Sequence, residues 1–143
     1  NFKWLMKKEL RKIPFVGTAC AVAGHIFVDR SNPRAAMESL HYIKAQLHDG
    51  ISTVIFPEGT RTKTGEMGRF KAGAFKIAMD MGLPVVPITL KGFYEAMPRG
   101  KAFANPRSRV SLHIGKPIDI SQFNDINEAM TFVREKVAEG LKS

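Results

Sequence analysis

Over the first thirteen residues the apolar positions fall near helical spacing: Phe2, Leu5, Met6, Leu10 and Ile13, with Lys3, Lys7, Lys8, Arg11 and Lys12 between them. The pattern predicts an amphipathic helix over residues 2–13 with a basic face, to which Trp4 adds an amphipathic ring. Such a helix lies on anionic lipid or packs on its own domain with the basic face in water. Pro14 and Gly17 punctuate the chain, and a short apolar helix is expected to reach Ala23. Ile26-Phe27-Val28 reads as a strand. Asn32 as N-cap and Pro33 at the first helical position open a helix that runs to about His48, ahead of Gly50. A second strand covers residues 52–56, a polar loop runs from Arg61 to Arg69, and a helix at 72–81 closes at Gly82. Residues 84–90 read as a strand, Gly92 to Ser108 as a long loop, and Val110 to Ile114 as an alternating strand. A final helix spans Asn124 to Leu141, with Ile126, Ala129, Met130, Val133 and Val137 on one stripe.

Strands alternating with helices predict an α/β fold with a mostly parallel sheet flanked by helices. At 143 residues, without repeat or dividing linker, the chain reads as a single domain over residues 1–143. Ligands in such sheets bind at the carboxyl ends of strands. Asp29-Arg30 and Glu58-Gly59 both follow strand ends, so both are expected at one edge.

Charge narrows the partners. Twenty-two Lys and Arg against 13 Asp and Glu give +9, which favours nucleic acid, anionic lipid or a phosphorylated substrate. The ten Phe and single Trp fall mostly at core-like positions rather than interleaved with a basic face, which argues against nucleic acid. Cys20, the only cysteine, cannot form an internal disulfide and is expected to be a small buried hydrophobe. No apolar run approaches the ~20 residues that span a bilayer. The longest, Phe15 to Val28, is broken by Gly17, Gly24 and His25, and it is not a signal peptide.

Candidate chemistry concentrates in Ser52 to Arg61. Val54, Ile55 and Phe56 form a strand that Pro57 ends, and Gly59 can take positive φ. A carboxylate (Glu58), a bare backbone (Gly59), a hydroxyl (Thr60) and a guanidinium (Arg61) then stand side by side. The guanidinium fork suits a phosphate, and a plain turn tipped by a Glu58–Arg61 ion pair is the alternative. There is no P-loop ending, Gly-x-Gly-x-x-Gly, zinc cluster, calcium loop or Gly-x-Ser-x-Gly elbow. Three residues separate His25 from Asp29. On a strand they would sit roughly 13 Å apart, too far for a hydrogen bond. His41, His48 and His113 read as structural.

Phe56-Pro57-Glu58-Gly59-Thr60-Arg61 resembles the phosphate-gripping motif of the glycerolipid acyltransferases, the family of 1-acylglycerol-3-phosphate acyltransferase. Gly24 to Arg30 resembles the motif that precedes it there, Phe70-Lys71-Ala72-Gly73 the one that follows, and Val85-Val86-Pro87-Ile88 the last. The resemblance implies that Arg30, Arg61 and Lys71 surround the phosphate of an acylated glycerol phosphate. Glu58 and Gly59 would line the same pocket, and Thr60 would donate to a phosphate oxygen. The family's first motif, His-x-x-x-x-Asp, is absent from residues 1–143. It is expected before Asn1, so the domain reads as partial, with no catalytic residue of its own and an open sheet edge or groove near Asn1. The implied reaction moves a fatty acyl group from acyl-CoA or acyl carrier protein to 1-acylglycerol 3-phosphate, without cofactor or metal. The implied location is the membrane surface on its cytoplasmic face. Another lysophospholipid or glycerol 3-phosphate as acceptor is one alternative; a non-catalytic basic module for membranes or nucleic acid is another.

Overall fold

The computed structural model describes residues 2–29, 38, 41–45, 47, 50–98, 100 and 105–142. They form two compact units, Asn1–Phe56 and Pro57–Ser143.

The first unit is built on a parallel three-stranded sheet. Strand β1 (Phe2–Lys7) is central, flanked by β2 (Ile26–Val28) and β3 (Ser52–Val54), in the order β2-β1-β3. Leu5 pairs with Ile26 and Phe2 with Ser52. This overturns the helix expected over residues 2–13; of the sheet edge or groove expected near Asn1, the edge is not at β1, which has a partner strand on each side. Trp4-Leu5-Met6 is a continuous apolar run of the kind central parallel strands carry, and over so short a span its periodicity fits helix or strand. Ladders on both sides decide the matter, and a ring stack adds to them: Trp4 lies 5.9 Å from Phe56 at 16°. Only Lys8–Lys12 turns helically, as a short 3-10 helix.

Helix α1 (Val16–Val22) follows as expected. Gly17 is required there, because a Cβ would collide with the Arg11 carbonyl. Cys20 is half-buried rather than buried. Ile26 and Val28, on alternate positions of β2, are buried with Ile43 from the helical residues 41–45. The opening of that helix at Asn32-Pro33 and its end at His48 lie outside the described residues. Because β2 and β3 both run parallel to β1, their carboxyl ends leave one edge of this sheet, where Asp29 follows β2.

The second unit holds helix α2 (Gly73–Asp80), strand β4 (Ile88–Lys91), the short helix α3 (Phe93–Ala96), strand β5 (Ser111–Ile114) and helix α4 (Ile126–Lys142). β4 and β5 pair antiparallel, Ile88 opposite Ile114. The strand expected over 84–90 is shortened at its start because Pro84 and Pro87 lack the N–H a ladder needs. Val85 still exchanges two backbone hydrogen bonds with Ile118. α2 and α4 bury Phe75, Ala78, Ala129 and Val133 against Ile118 and Ile120. Two of these, Ala129 and Val133, belong to the stripe predicted for the final helix. Thr89, buried in β4, donates to the Val137 carbonyl at 2.8 Å, which ties the hairpin to α4.

Candidate functional site

The candidate site is the loop from Pro57 to Lys71, closed on itself by the Lys71 amide donating to the Pro57 carbonyl at 2.8 Å. Pro57 has no N–H to extend a ladder, so the chain turns. Gly59 then adopts φ +74°, a left-handed conformation that side chains resist. A Cβ on Gly59 would stand 3.1 Å from both Cε and Nζ of Lys71. Lys71 thus lays its ammonium against the bare backbone of Gly59, and the sequence interval between them is spanned by the folded loop.

The carboxylate is held apart from this cation. Glu58 Oε2 accepts from the Gly68 amide at 2.7 Å. Among the described residues Glu58 forms no ion pair with Arg61 or Lys71, so the ion-paired turn is not what forms. Arg61 is exposed, and its Nη1 reaches the Met97 carbonyl at 3.5 Å. Thr60 is exposed beside it. Glu58, Thr60, Arg61, Lys63 and Arg69 line an open cavity of about 380 Å³. Within residues 57–71 four cations (Arg61, Lys63, Arg69, Lys71) stand against two carboxylates (Glu58, Glu66). An open, cationic, hydroxyl-bearing loop suits an anion of phosphate size.

The loop is braced from outside. Thr62 Oγ1 accepts from the amides of Thr64 and Gly65, which folds its tip. The Tyr94 hydroxyl donates to the Lys63 carbonyl at 3.0 Å, and Arg134 of α4 donates to the Met67 carbonyl at 3.1 Å. Neither residue was singled out by sequence reasoning. Each lies 31 or more positions from its partner, and no local pattern announces such a pairing.

Of the six residues predicted for the site, Glu58, Gly59, Thr60, Arg61 and Lys71 share this loop, and Arg30 lies outside the described residues. His25 and Asp29 engage different partners. His25 Nδ1 accepts from the Trp4 amide at 3.4 Å, and Asp29 pairs with Lys8 at 3.3 Å. His41 and His113 are exposed, and His48 lies outside the described residues. Among the described residues no cluster of His, Cys, Asp or Glu could hold a metal ion. No described helix is long and apolar enough to cross a membrane.

Comparison with known proteins matches residues 1–91 to a family described as Acyltransferase. The chain is 38% identical over 142 residues to the chloroplastic 1-acyl-sn-glycerol-3-phosphate acyltransferase of Arabidopsis thaliana, covering 99% of this chain and 39% of that one. It is 42% identical over 85 residues to the 1-acyl-sn-glycerol-3-phosphate acyltransferase of Pseudomonas aeruginosa, covering 59% of this chain and 33% of that one. Among solved structures it resembles PlsC, the 1-acyl-sn-glycerophosphate (LPA) acyltransferase of Thermotoga maritima. There the TM-score is 0.84 at 31% identity, covering 98% of this chain and 55% of that one. The chain thus spans 39% of the length of the Arabidopsis relative and 55% of the solved one.

Proposed function

The chain belongs to the acyltransferase family, and on that premise we propose that the protein acylates 1-acylglycerol 3-phosphate to phosphatidic acid, with residues 57–71 holding the acceptor's phosphate. The observation that carries this reading is a single cationic loop on which Lys71 lies over Gly59 and Arg61 lines an open cavity, with Glu58 turned to the loop backbone. Arg61 offers a two-pronged donor and Lys71 a compact charge. Thr60 adds a hydroxyl donor, and Glu58 accepts from the glycerol hydroxyls.

In the reaction the acceptor hydroxyl gives up its proton as its oxygen attacks the thioester carbonyl. A C–O bond forms, the C–S bond breaks, and the thiol of coenzyme A or of acyl carrier protein leaves with a proton. A positioned base contributes about 10²–10⁴-fold to such a step. No histidine of residues 1–143 is followed by aspartate at the spacing His-x-x-x-x-Asp. The residues present therefore bind and orient the acceptor, and the base is not among them. The net charge of +9 supports work at an anionic membrane surface, on its cytoplasmic face.

The test is thiol release from an acyl thioester by the chain joined to a preceding segment that supplies His-x-x-x-x-Asp, with lysophosphatidate, glycerol 3-phosphate or no acceptor; residues 1–143 alone are expected to release none. Release that requires lysophosphatidate is expected. Release indifferent to the acceptor would count against the reading.

A further inference from the structure

One peptide unit at the back of the loop is gripped on both edges. Arg134 Nη2 donates to the Met67 carbonyl at 3.1 Å, and its Nε reaches the Gly68 carbonyl at a longer 3.4 Å. The Gly68 amide donates to Glu58 Oε2 at 2.7 Å. The Met67 carbonyl and the Gly68 N–H belong to the same peptide bond, which is planar. A guanidinium fixed on its oxygen therefore fixes the direction of its N–H on the opposite edge. Positive charge at the oxygen also polarises the unit and strengthens that N–H as a donor. A Cβ at Gly68 would stand 2.9 Å from Glu58 Oε2, so a side chain there would push the carboxylate aside. Arg134 reaches the loop from a firm base, since its neighbour Val133 is buried in the core that α4 shares with α2.

The carboxylate so held is the one that could spoil the site. Glu58 lies within a few residues of Arg61 on a loop that also carries Lys71, and it pairs with neither among the described residues. We propose that Arg134 is a positioning residue of the anion site. Through the Met67–Gly68 peptide it keeps the Glu58 carboxylate on the loop backbone and away from Arg61 and Lys71, whose charge stays available to the acceptor's phosphate. The proposal rests on the reading of residues 57–71 as the phosphate site.

The test titrates a short-chain lysophosphatidate, below its micelle-forming concentration, into the protein and into Arg134→Ala, Glu58→Gln and the double variant. Exchange of the Gly68 amide is followed in the same proteins without ligand. Arg134→Ala is expected to weaken binding about tenfold and to speed Gly68 exchange, with the far-ultraviolet spectrum unchanged. In the Glu58→Gln background the same substitution is expected to cost nothing, because no carboxylate remains to be restrained. Wild-type affinity in Arg134→Ala would overturn the proposal, and so would an equal loss in both backgrounds. If the wild-type protein binds no lysophosphatidate, the phosphate-site reading fails by itself. The exchange measurement then decides the clamp: faster Gly68 exchange in folded Arg134→Ala upholds it, and unchanged exchange overturns it.

Discussion

Replacing Gly59 by alanine separates the two demands that the loop places on this residue. The first is backbone conformation. At φ +74° an alanine carries the left-handed penalty of about 1–2 kcal/mol. The second is space. The new Cβ would stand 3.1 Å from Lys71 Cε and Nζ and 3.3 Å from Cδ, against roughly 3.5–4.0 Å for comfortable contact. The end of a flexible lysine yields by about half an ångström, which adds little to the stability cost. It also moves the ammonium. For a phosphate about 4 Å away at an effective dielectric constant near 20, the attraction of about 4 kcal/mol weakens by about 0.5 kcal/mol, or roughly twofold in affinity. Gly59→Ala is therefore expected to lose about 1–2 kcal/mol in urea unfolding, a midpoint shift of about 0.5–1 M for a slope near 2 kcal/mol/M. It should bind lysophosphatidate only about twofold more weakly. An unchanged urea midpoint would refute the conformational argument. A stability cost that disappears when Lys71→Ala is added would show that crowding, not the backbone, carries it.

Phe75→Ala removes the one aromatic ring among the described buried residues of the core between α2 and α4, where Phe75 is 3% exposed and stacks on Phe70. It should cost about 3–5 kcal/mol in urea unfolding, and a cost under 1 kcal/mol would contradict the packing described. Asp119 accepts hydrogen bonds from the Ser121 hydroxyl and amide, which hold its carboxyl below the ordinary aspartate value. A lowered value in the folded state means stability that is present above the unfolded value and lost as pH falls through the folded one. The stability gap between wild type and Asp119→Asn should therefore narrow as pH falls from neutral through the lowered value. A gap constant across that acid range would count against the assignment.

The parts of the fold legible in the sequence were those with local signals. The final helix showed its stripe, and Val133 of that stripe is buried in the core. Ile26-Phe27-Val28 and Val110 to Ile114 were bounded by turn residues and formed β2 and β5 close to the expected limits. The start of the chain misled because its apolar spacing fits either period over so few residues. Its strand is fixed by partners about 20 and 50 positions away in sequence, Ile26 and Ser52. The site divided the same way. Pro57, Glu58, Gly59, Thr60 and Arg61 are contiguous, and Lys71 follows ten residues after Arg61, so one motif and its neighbour mark them as candidates. Arg134 meets its carbonyl partner 67 positions away and Tyr94 meets its own 31 away. Only the folded chain brings such pairs together.

The central claim, that Arg61 and Lys71 on residues 57–71 grip the acceptor's phosphate, is tested most directly by calorimetric titration of the chain. The ligands are a short-chain lysophosphatidate and the matching monoacylglycerol, which lacks only the phosphate. The account predicts binding of the lysophosphatidate that weakens with added salt and at least about tenfold weaker binding of the monoacylglycerol. It also predicts that the double variant Arg61→Ala/Lys71→Ala erases the difference between the two ligands. Equal affinity for both in the wild-type chain, or a preference for the phosphate that survives in the double variant, would contradict it.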